Sequence, residues 1–185
     1  MIVHIIQART ESTRLPGKVW KEIKGKPLIE WHLINTISPY QRVLAIPYGD
    51  PETVRFRKIA QKYNACLAMP KVPENDLLKR FIQAGKRFNP EWIVRTTADC
   101  FMDNEWFLKT VEAATSYDIP IFNTFKEGSC VEVFKYSFLL RADKEVKLKE
   151  HREHPTLYFR KGFKKESIDT LEEFNRLKKR IENGQ

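Results

Sequence analysis

The chain reads as an α/β protein with a mostly parallel central sheet and helices on both of its faces. Two observations predict this. Short apolar runs alternate with amphipathic stretches of roughly ten to fifteen residues, the rhythm of strand, crossover helix and next strand. The polar, glycine- and proline-bearing segments fall directly after the apolar runs, where the loops at the carboxyl ends of parallel strands belong.

Taken in order, Ile2 to Gln7 reads as a buried strand and Arg9 to Lys18 as a polar loop. Gly25 and Lys26 lead to a helix from Pro27 to about Ser38, with proline at the first helical position. Val43 to Ile46 is a second strand. Asp50-Pro51-Glu52 then starts a helix whose stripe Phe56, Ile59, Ala60 and Tyr63 keeps helical spacing. Ala65 to Ala68 is a third strand, and Asn75 caps a helix that turns Leu77, Leu78, Phe81, Ile82 and Phe88 inward. Trp92 to Thr96 is a fourth strand, and Asn104 to about Ser116 a helix carrying Phe107, Val111 and Ala114. Ile119 to Asn123 and Val131 to Phe134 are further strands. Lys144 to Arg152 is read as a helix or a solvated connection. A strand at Phe163 to Ile168 and a helix at Thr170 to Ile181 close the chain.

Length and composition narrow the function classes. The 185 residues fit one domain spanning 1–185, and a 42% apolar content supplies a core, which excludes wholesale disorder. The charge of +9 favours an anionic partner without choosing among nucleotide, nucleic acid and membrane surface. The apolar opening has no basic leader, and no run reaches the ~18 apolar residues of a membrane span, so we expect a cytoplasmic protein with no membrane partner. Cys66, Cys100 and Cys130 form no CxxC pair and read as thiols in a reducing compartment.

Four loops gather around one crevice in this arrangement: Arg9 to Lys18, Pro47 to Asp50, Met69 to Asn75, and Thr97 to Asp103. The first carries Arg9, Arg14 and Lys18 with Ser12 and Gly17, a set suited to a polyphosphate or to a solvated basic loop. It is not a Walker A loop, because Ser12 and Val19 stand where that motif needs Gly and Ser or Thr. Asp99, just past the fourth strand, could face Mg²⁺ bridged to phosphate or simply cap a turn. Asp169 precedes a helix and could cap it. His4 and His32 are expected to be packed rather than ligating, and Trp20, Trp31, Trp92 and Trp106 to serve packing. His151 and His154 lack a nearby cysteine and are not expected to bind metal. No motif for covalent catalysis occurs.

The segment from Ile5 to Lys18, Ile-Ile-Gln-Ala-Arg-x-x-Ser-Thr-Arg-Leu-Pro-Gly-Lys, resembles the signature of the cytidylyltransferases that make CMP-activated sugars. It is most similar to the spore coat polysaccharide branch, with CMP-3-deoxy-manno-octulosonate synthetase and acylneuraminate cytidylyltransferase as relatives. Further matches follow in family order at Lys24 to Leu28, Asn75 to Phe81, Ile93 to Cys100, Val131 to Phe134, Glu153 to Pro155 and Ile168 to Thr170. Departures are Glu11 in place of a glycine, Cys130 in place of an aspartate, Leu171 in place of a proline, and a shorter Cys100-Phe101-Met102-Asp103. The chain is also shorter than most relatives, with the loss around residues 125–154, the acceptor and dimer segment.

The resemblance implies a Rossmann-like three-layer nucleotide-diphospho-sugar transferase fold. It further implies that Arg9, Ser12, Arg14 and Lys18 hold the phosphates of CTP, with Ala8 beside them and Gly17 permitting close backbone approach. Asp99 and Asp169 match Mg²⁺ ligands, and Arg80 matches a residue facing the nucleotide or acceptor crevice. Lys18, Arg14 and Asp99 are the expected catalytic groups. The implied reaction transfers CMP from CTP to a sugar acid or related sugar and releases pyrophosphate, for surface glycan synthesis. A homodimer is compatible with it, and nucleic acid is not the expected partner. Alternatives are another nucleotidyltransferase, a glycosyltransferase of the same fold using a nucleotide sugar, and a non-catalytic basic protein that binds nucleic acid.

Overall fold

The computed structural model describes residues 1–12, 15–100, 103–119 and 131–155, together with the backbone of 121–123. Its centre is a six-stranded sheet made of β1 (Ile2–Gln7), β4 (Gln41–Ala45), β5 (Cys66–Ala68), β6 (Trp92–Thr97), β7 (Ile121–Asn123) and β8 (Glu132–Lys135), in the order β5-β4-β1-β6-β8-β7. The first four of these in spatial order are parallel, while β8 runs antiparallel to β6 and β7 antiparallel to β8. A small hairpin of β2 (Glu22–Ile23) and β3 (Lys26–Pro27) lies apart from the sheet. The expected α/β class with a mostly parallel sheet is what the chain adopts.

Strands buried on both faces explain why β1, β4 and β6 read as continuous apolar runs. Val3, Ile5, Val43, Ala45 and Ile93 face one side, where they meet Leu78, Phe81 and Ile82 of α3 (Leu77–Lys86) and Leu139 of α5 (Tyr136–Glu145). Gly85 lets α3 lie close, since a Cβ there would stand 3.1 Å from Cδ1 of Ile93. Ile6 and Leu44 face the other side, against Ile29 and Leu33 of α1 (Leu28–Asn35) and Phe56 and Ile59 of α2 (Thr53–Lys62). On the same side Val94 and Val133 pack on Phe107, Val111 and Ala114 of α4 (Asn104–Ser116). These are three layers, with the core split by the sheet.

Several local expectations shift. Pro27 ends a strand and occupies the N-cap of α1, one place before the first helical residue, and the helix stops at Asn35 rather than near Ser38. The cap of α3 is Asp76, whose carboxylate accepts the Lys79 amide; Asn75 lies one residue too early to do so. Asp50 lies two residues before Glu52, the N-cap of α2; its Oδ1 accepts the Glu52 amide at 3.0 Å while the carboxylate also holds Thr10 of the first loop. Helix α5 was not anticipated. Within Lys144 to Arg152 only α6 (Lys149–Glu153) is a separate helix, tied to its surroundings by Arg152, which bridges Asp76 at 2.8 Å and Asp143 at 2.5 Å. The strand and helix expected after Phe163 fall outside the described residues.

Trp92 is buried and the other three tryptophans are partly buried, as packing roles require. His4 of β1 and His32 of α1 are both fully enclosed and each lies 2.8 Å from the Thr96 hydroxyl. Burial pushes the His4 imidazole well below its ordinary value, with the nearby His32 and Arg42 charges adding to the effect. Burial also lowers His32, to about 4, against smaller opposing contributions from the Cys100 carbonyl and Asp99.

A depressed histidine pKa means that the unfolded chain binds the proton more readily than the native one. The associated stability is complete above the unfolded value near pH 6.5 and is lost as the pH falls toward the folded value. For His32 alone the loss between pH 7 and pH 4 is expected to be roughly 3 kcal/mol. Urea unfolding across that range should show it, and His32→Gln should flatten the fall relative to the unsubstituted chain.

Candidate functional site

The carboxyl ends of β1, β4 and β6 emerge on one edge of the sheet because the strands are parallel and in register, with Gln7 opposite both Ala45 and Thr97. A crevice of about 340 Å³ opens there, within the usual range for small-molecule clefts. Its walls include Ala8, Arg9 and Lys18 from the first loop, Arg80 from α3, and Thr97 and Asp99 from the turn after β6. Glu153 and His154, at the end of α6, line it as well.

The first loop is held from several directions. The amide of Thr10 donates to Asp50 Oδ2 at 2.9 Å and its hydroxyl to Oδ1 at 2.7 Å. The same hydroxyl accepts the Trp20 indole N–H at 3.3 Å, and Trp20 packs on Phe56 with ring centroids 4.6 Å apart. Gly17 closes the loop by donating its amide to the Thr10 carbonyl at 3.0 Å. Its φ of +66° favours glycine, whereas a Cβ there would meet no atom within 4 Å. Conformation is thus the first reason for this glycine. The loop is further anchored by Ala8, whose amide donates to the Ala45 carbonyl at 3.1 Å.

The charged residues of the crevice meet across long stretches of chain. The Lys18 ammonium donates to the Asp99 carboxylate. Burial would raise the Asp99 pKa, but the Lys18 hydrogen bond and charge outweigh it and hold the carboxyl below its ordinary value. Arg9 pairs with Glu74 at 2.7 Å on the partly exposed rim. Arg95 of β6 pairs with Glu132 at 2.5 Å and donates to the Gln7 side-chain oxygen at 2.9 Å. Arg80 is almost wholly buried; it donates to the Glu74 backbone carbonyl at 2.8 Å, while its Nε has no partner. Burial lowers its pKa, with the Glu74 charge opposing.

The arrangement therefore brings together Ala8, Arg9, Lys18, Arg80 and Asp99. Ser12 lines an adjoining recess with Arg9, Glu11 and Glu74. Arg14 and Asp169 lie outside the described residues, as does Cys130. Sequence reasoning placed Asp50 and Glu74 within crevice loops but gave no individual site role to them, nor to Gln7, Arg95 and Glu132. Gln7 and Arg95 carried a signal, since each is a polar residue inside an apolar strand near its carboxyl end. Asp50 reads in sequence as a local helix-start residue, which it partly is, but its second partner, Thr10, is forty residues away and leaves no local signal.

The chemical capacity of the crevice is anion binding beside hard oxygen donors, with Asp99 the carboxylate on the turn after β6. Asp99 at the mouth is the ligand type that Mg²⁺ takes, and such an ion usually uses one or two carboxylates with phosphate and water completing the shell. Among the described residues no group of three or more His, Cys, Asp or Glu side chains forms a protein-only metal cage. None of their helices is long and apolar enough to cross a membrane.

Comparison with known proteins places these features. The chain is 30% identical over 171 residues to the spore coat polysaccharide biosynthesis protein SpsF of Bacillus subtilis, covering 86% of this chain and 70% of that one. A solved cytidylyltransferase from Leptospira borgpetersenii superposes with a TM-score of 0.74 at 28% identity, over 85% of this chain and 69% of that one. A CMP:2-keto-3-deoxy-manno-octonic acid synthetase solved in complex with CTP superposes with a TM-score of 0.66 over 87% and 86% of the two chains, and at 12% identity this shows a shared fold. The profile of the Cytidylyltransferase family matches residues 3–182, a span that takes in the cationic first loop and the Asp99 turn alike. On this evidence the chain belongs to the cytidylyltransferase family.

Proposed function

We propose that the protein transfers CMP from CTP to a hydroxyl of a sugar acid or related sugar, releasing pyrophosphate. The observation that carries this reading is the meeting of Lys18 and Asp99 at the mouth of a cationic crevice, 81 residues apart in sequence. A new bond forms between the acceptor oxygen and the α-phosphorus. The α–β anhydride bond breaks, and the acceptor proton is lost. No protein nucleophile is required; the demands are positioning and charge neutralisation.

In this reading Lys18, Arg9, Ser12 and Arg14 hold the triphosphate, and Arg80 offers its unpartnered edge to an anionic group. The Lys18 and Asp99 charges shield one another in the free protein, and CTP would draw the ammonium to its phosphates and leave the carboxylate able to hold a divalent cation. Asp99, with Asp169 as its counterpart by resemblance, would hold Mg²⁺. Bound there, the ion would neutralise charge on the triphosphate. Asp50 acts at a distance from the chemistry, fixing the loop through Thr10 before the nucleotide arrives. A sugar-acid acceptor suits the remaining cationic surface, and the likeness to SpsF supports a product used in polysaccharide synthesis.

Pyrophosphate release from CTP, followed across a panel of sugars and sugar acids with Mg²⁺ present, should show turnover with at least one acceptor. Asp99→Ala and Lys18→Ala should each lower it by about 100-fold or more. Turnover untouched by both substitutions would remove this site from the reaction.

Asp50→Ala should weaken CTP binding about ten-fold while leaving the sheet intact, because it frees the loop and leaves the Thr10 amide without its partner. Calorimetric titration with CTP reads this directly, and far-ultraviolet circular dichroism checks the fold. Unchanged affinity would show that the loop needs no such anchor.

A further inference from the structure

The hydrogen bonds around His4, Thr96 and His32 have only one consistent proton arrangement when both rings are neutral. The Nδ1 of His32 lies 2.7 Å from the Cys100 carbonyl. A carbonyl only accepts, so Nδ1 carries the proton and Nε2 of the same ring is an acceptor. The Thr96 hydroxyl, 2.8 Å away, must therefore donate to it. That hydroxyl then receives a hydrogen bond from Nε2 of His4, also at 2.8 Å. Nδ1 of His4 is left without a proton, and it is the one nitrogen of the two rings that has no hydrogen-bond partner. The Cys100 carbonyl thus sets the direction of donation, His4 to Thr96, Thr96 to His32, His32 to the Cys100 carbonyl, and the unpartnered Nδ1 of His4 accords with it.

Three polar side chains sit here at 0–1% exposure, inside a core otherwise built from Ile6, Val94, Leu33 and Phe107. Apolar side chains of similar volume would fill that space without an orphaned nitrogen. What the polar version adds is a directed bond to the turn after β6. This turn is short: the Cys100 amide returns to the Thr97 carbonyl at 3.0 Å and the Ala98 amide reaches the Gln7 carbonyl at 2.9 Å. Asp99 lies between these anchors. The His32 bond is the tie that reaches the turn from α1, in the layer beneath it.

We propose that His4, Thr96 and His32 are positioning residues, a buried relay that orients the Asp99 turn through the Cys100 carbonyl. The proposal rests on the CTP reading for its catalytic consequence, but not for its geometry. The relay does not touch substrate, and no proton leaves it during the reaction.

The test uses the full chain with Thr96→Val, which keeps the shape and removes the hydroxyl, and Thr96→Ser, which restores it. Nitrogen-15 NMR of the four histidines should show His4 protonated on Nε2 and His32 on Nδ1. Amide exchange at Cys100 should be at least ten-fold faster in Thr96→Val and close to the parent in Thr96→Ser. At a temperature well below the melting point of both variants, Thr96→Val should lose at least ten-fold in kcat with KM for CTP changed less than three-fold, and Thr96→Ser should recover most of kcat. The opposite tautomers, or unaltered Cys100 exchange in Thr96→Val, would overturn the relay, as would an unchanged kcat in a parent that turns over CTP. If the parent shows no turnover with any acceptor, the CTP reading fails, and the tautomer and exchange measurements still decide the relay.

Discussion

Parallel pairing of β1 between β4 and β6 is the constraint on which the rest depends. With Gln7 level with Ala45 and Thr97, the chain leaves all three strands at one height, and every loop that follows is delivered to the same edge. The reversal of β8 adds to this. Being antiparallel to β6, it presents its first residue, Glu132, directly opposite Arg95 at that edge. A carboxylate that begins one strand thereby pairs with a guanidinium near the end of another.

The electrostatic pattern of the crevice follows from that convergence. Cations gathered in one place would repel each other, and the protein answers with carboxylates: Glu74 for Arg9, Asp99 for Lys18 and Glu132 for Arg95. Of these, only the Arg9–Glu74 pair is exposed, where such pairs contribute little to stability; Lys18–Asp99 and Arg95–Glu132 are largely enclosed, with Glu132 buried. Arg80 is the exception among these crevice cations. It has a backbone carbonyl for company and no ion pair, which is a costly way to bury a guanidinium unless an anion completes it. The overall charge of +9 favours an anion without locating it, and Arg9, Lys18, Arg80 and Arg95 are the part of that charge gathered along the crevice.

Rigidity in the site comes from beneath and behind rather than from the loops themselves. Asp50 grips the first loop from the end of β4, and the Thr96 hydroxyl links β1 and α1 to the turn that carries Asp99. Both devices use buried polar groups with nearly all their hydrogen bonds made, the condition under which such groups specify geometry instead of merely destabilising a core.

What was legible in the sequence was set by short-range pattern. The apolar runs of β1 and β6 and the helical spacing of α4 appear in place because both periodicities arise within a few residues of chain. The resemblance carried by Ile5 to Lys18 supplied the family and pointed to Lys18 and Asp99. Helix α5 has no start signal in the sequence, because no side chain caps it and the apolar residues Tyr136, Phe138, Leu139 and Leu140 follow β8 directly; it buries Tyr136, Leu139 and Ala142 in the core shared with α3. The roles of Asp50, Arg95 and Thr96 were decided only by tertiary structure. A carboxylate, a guanidinium or a hydroxyl announces its chemistry in sequence but not its partner, and the partners here are brought together by pairing strands and packing layers tens of residues apart.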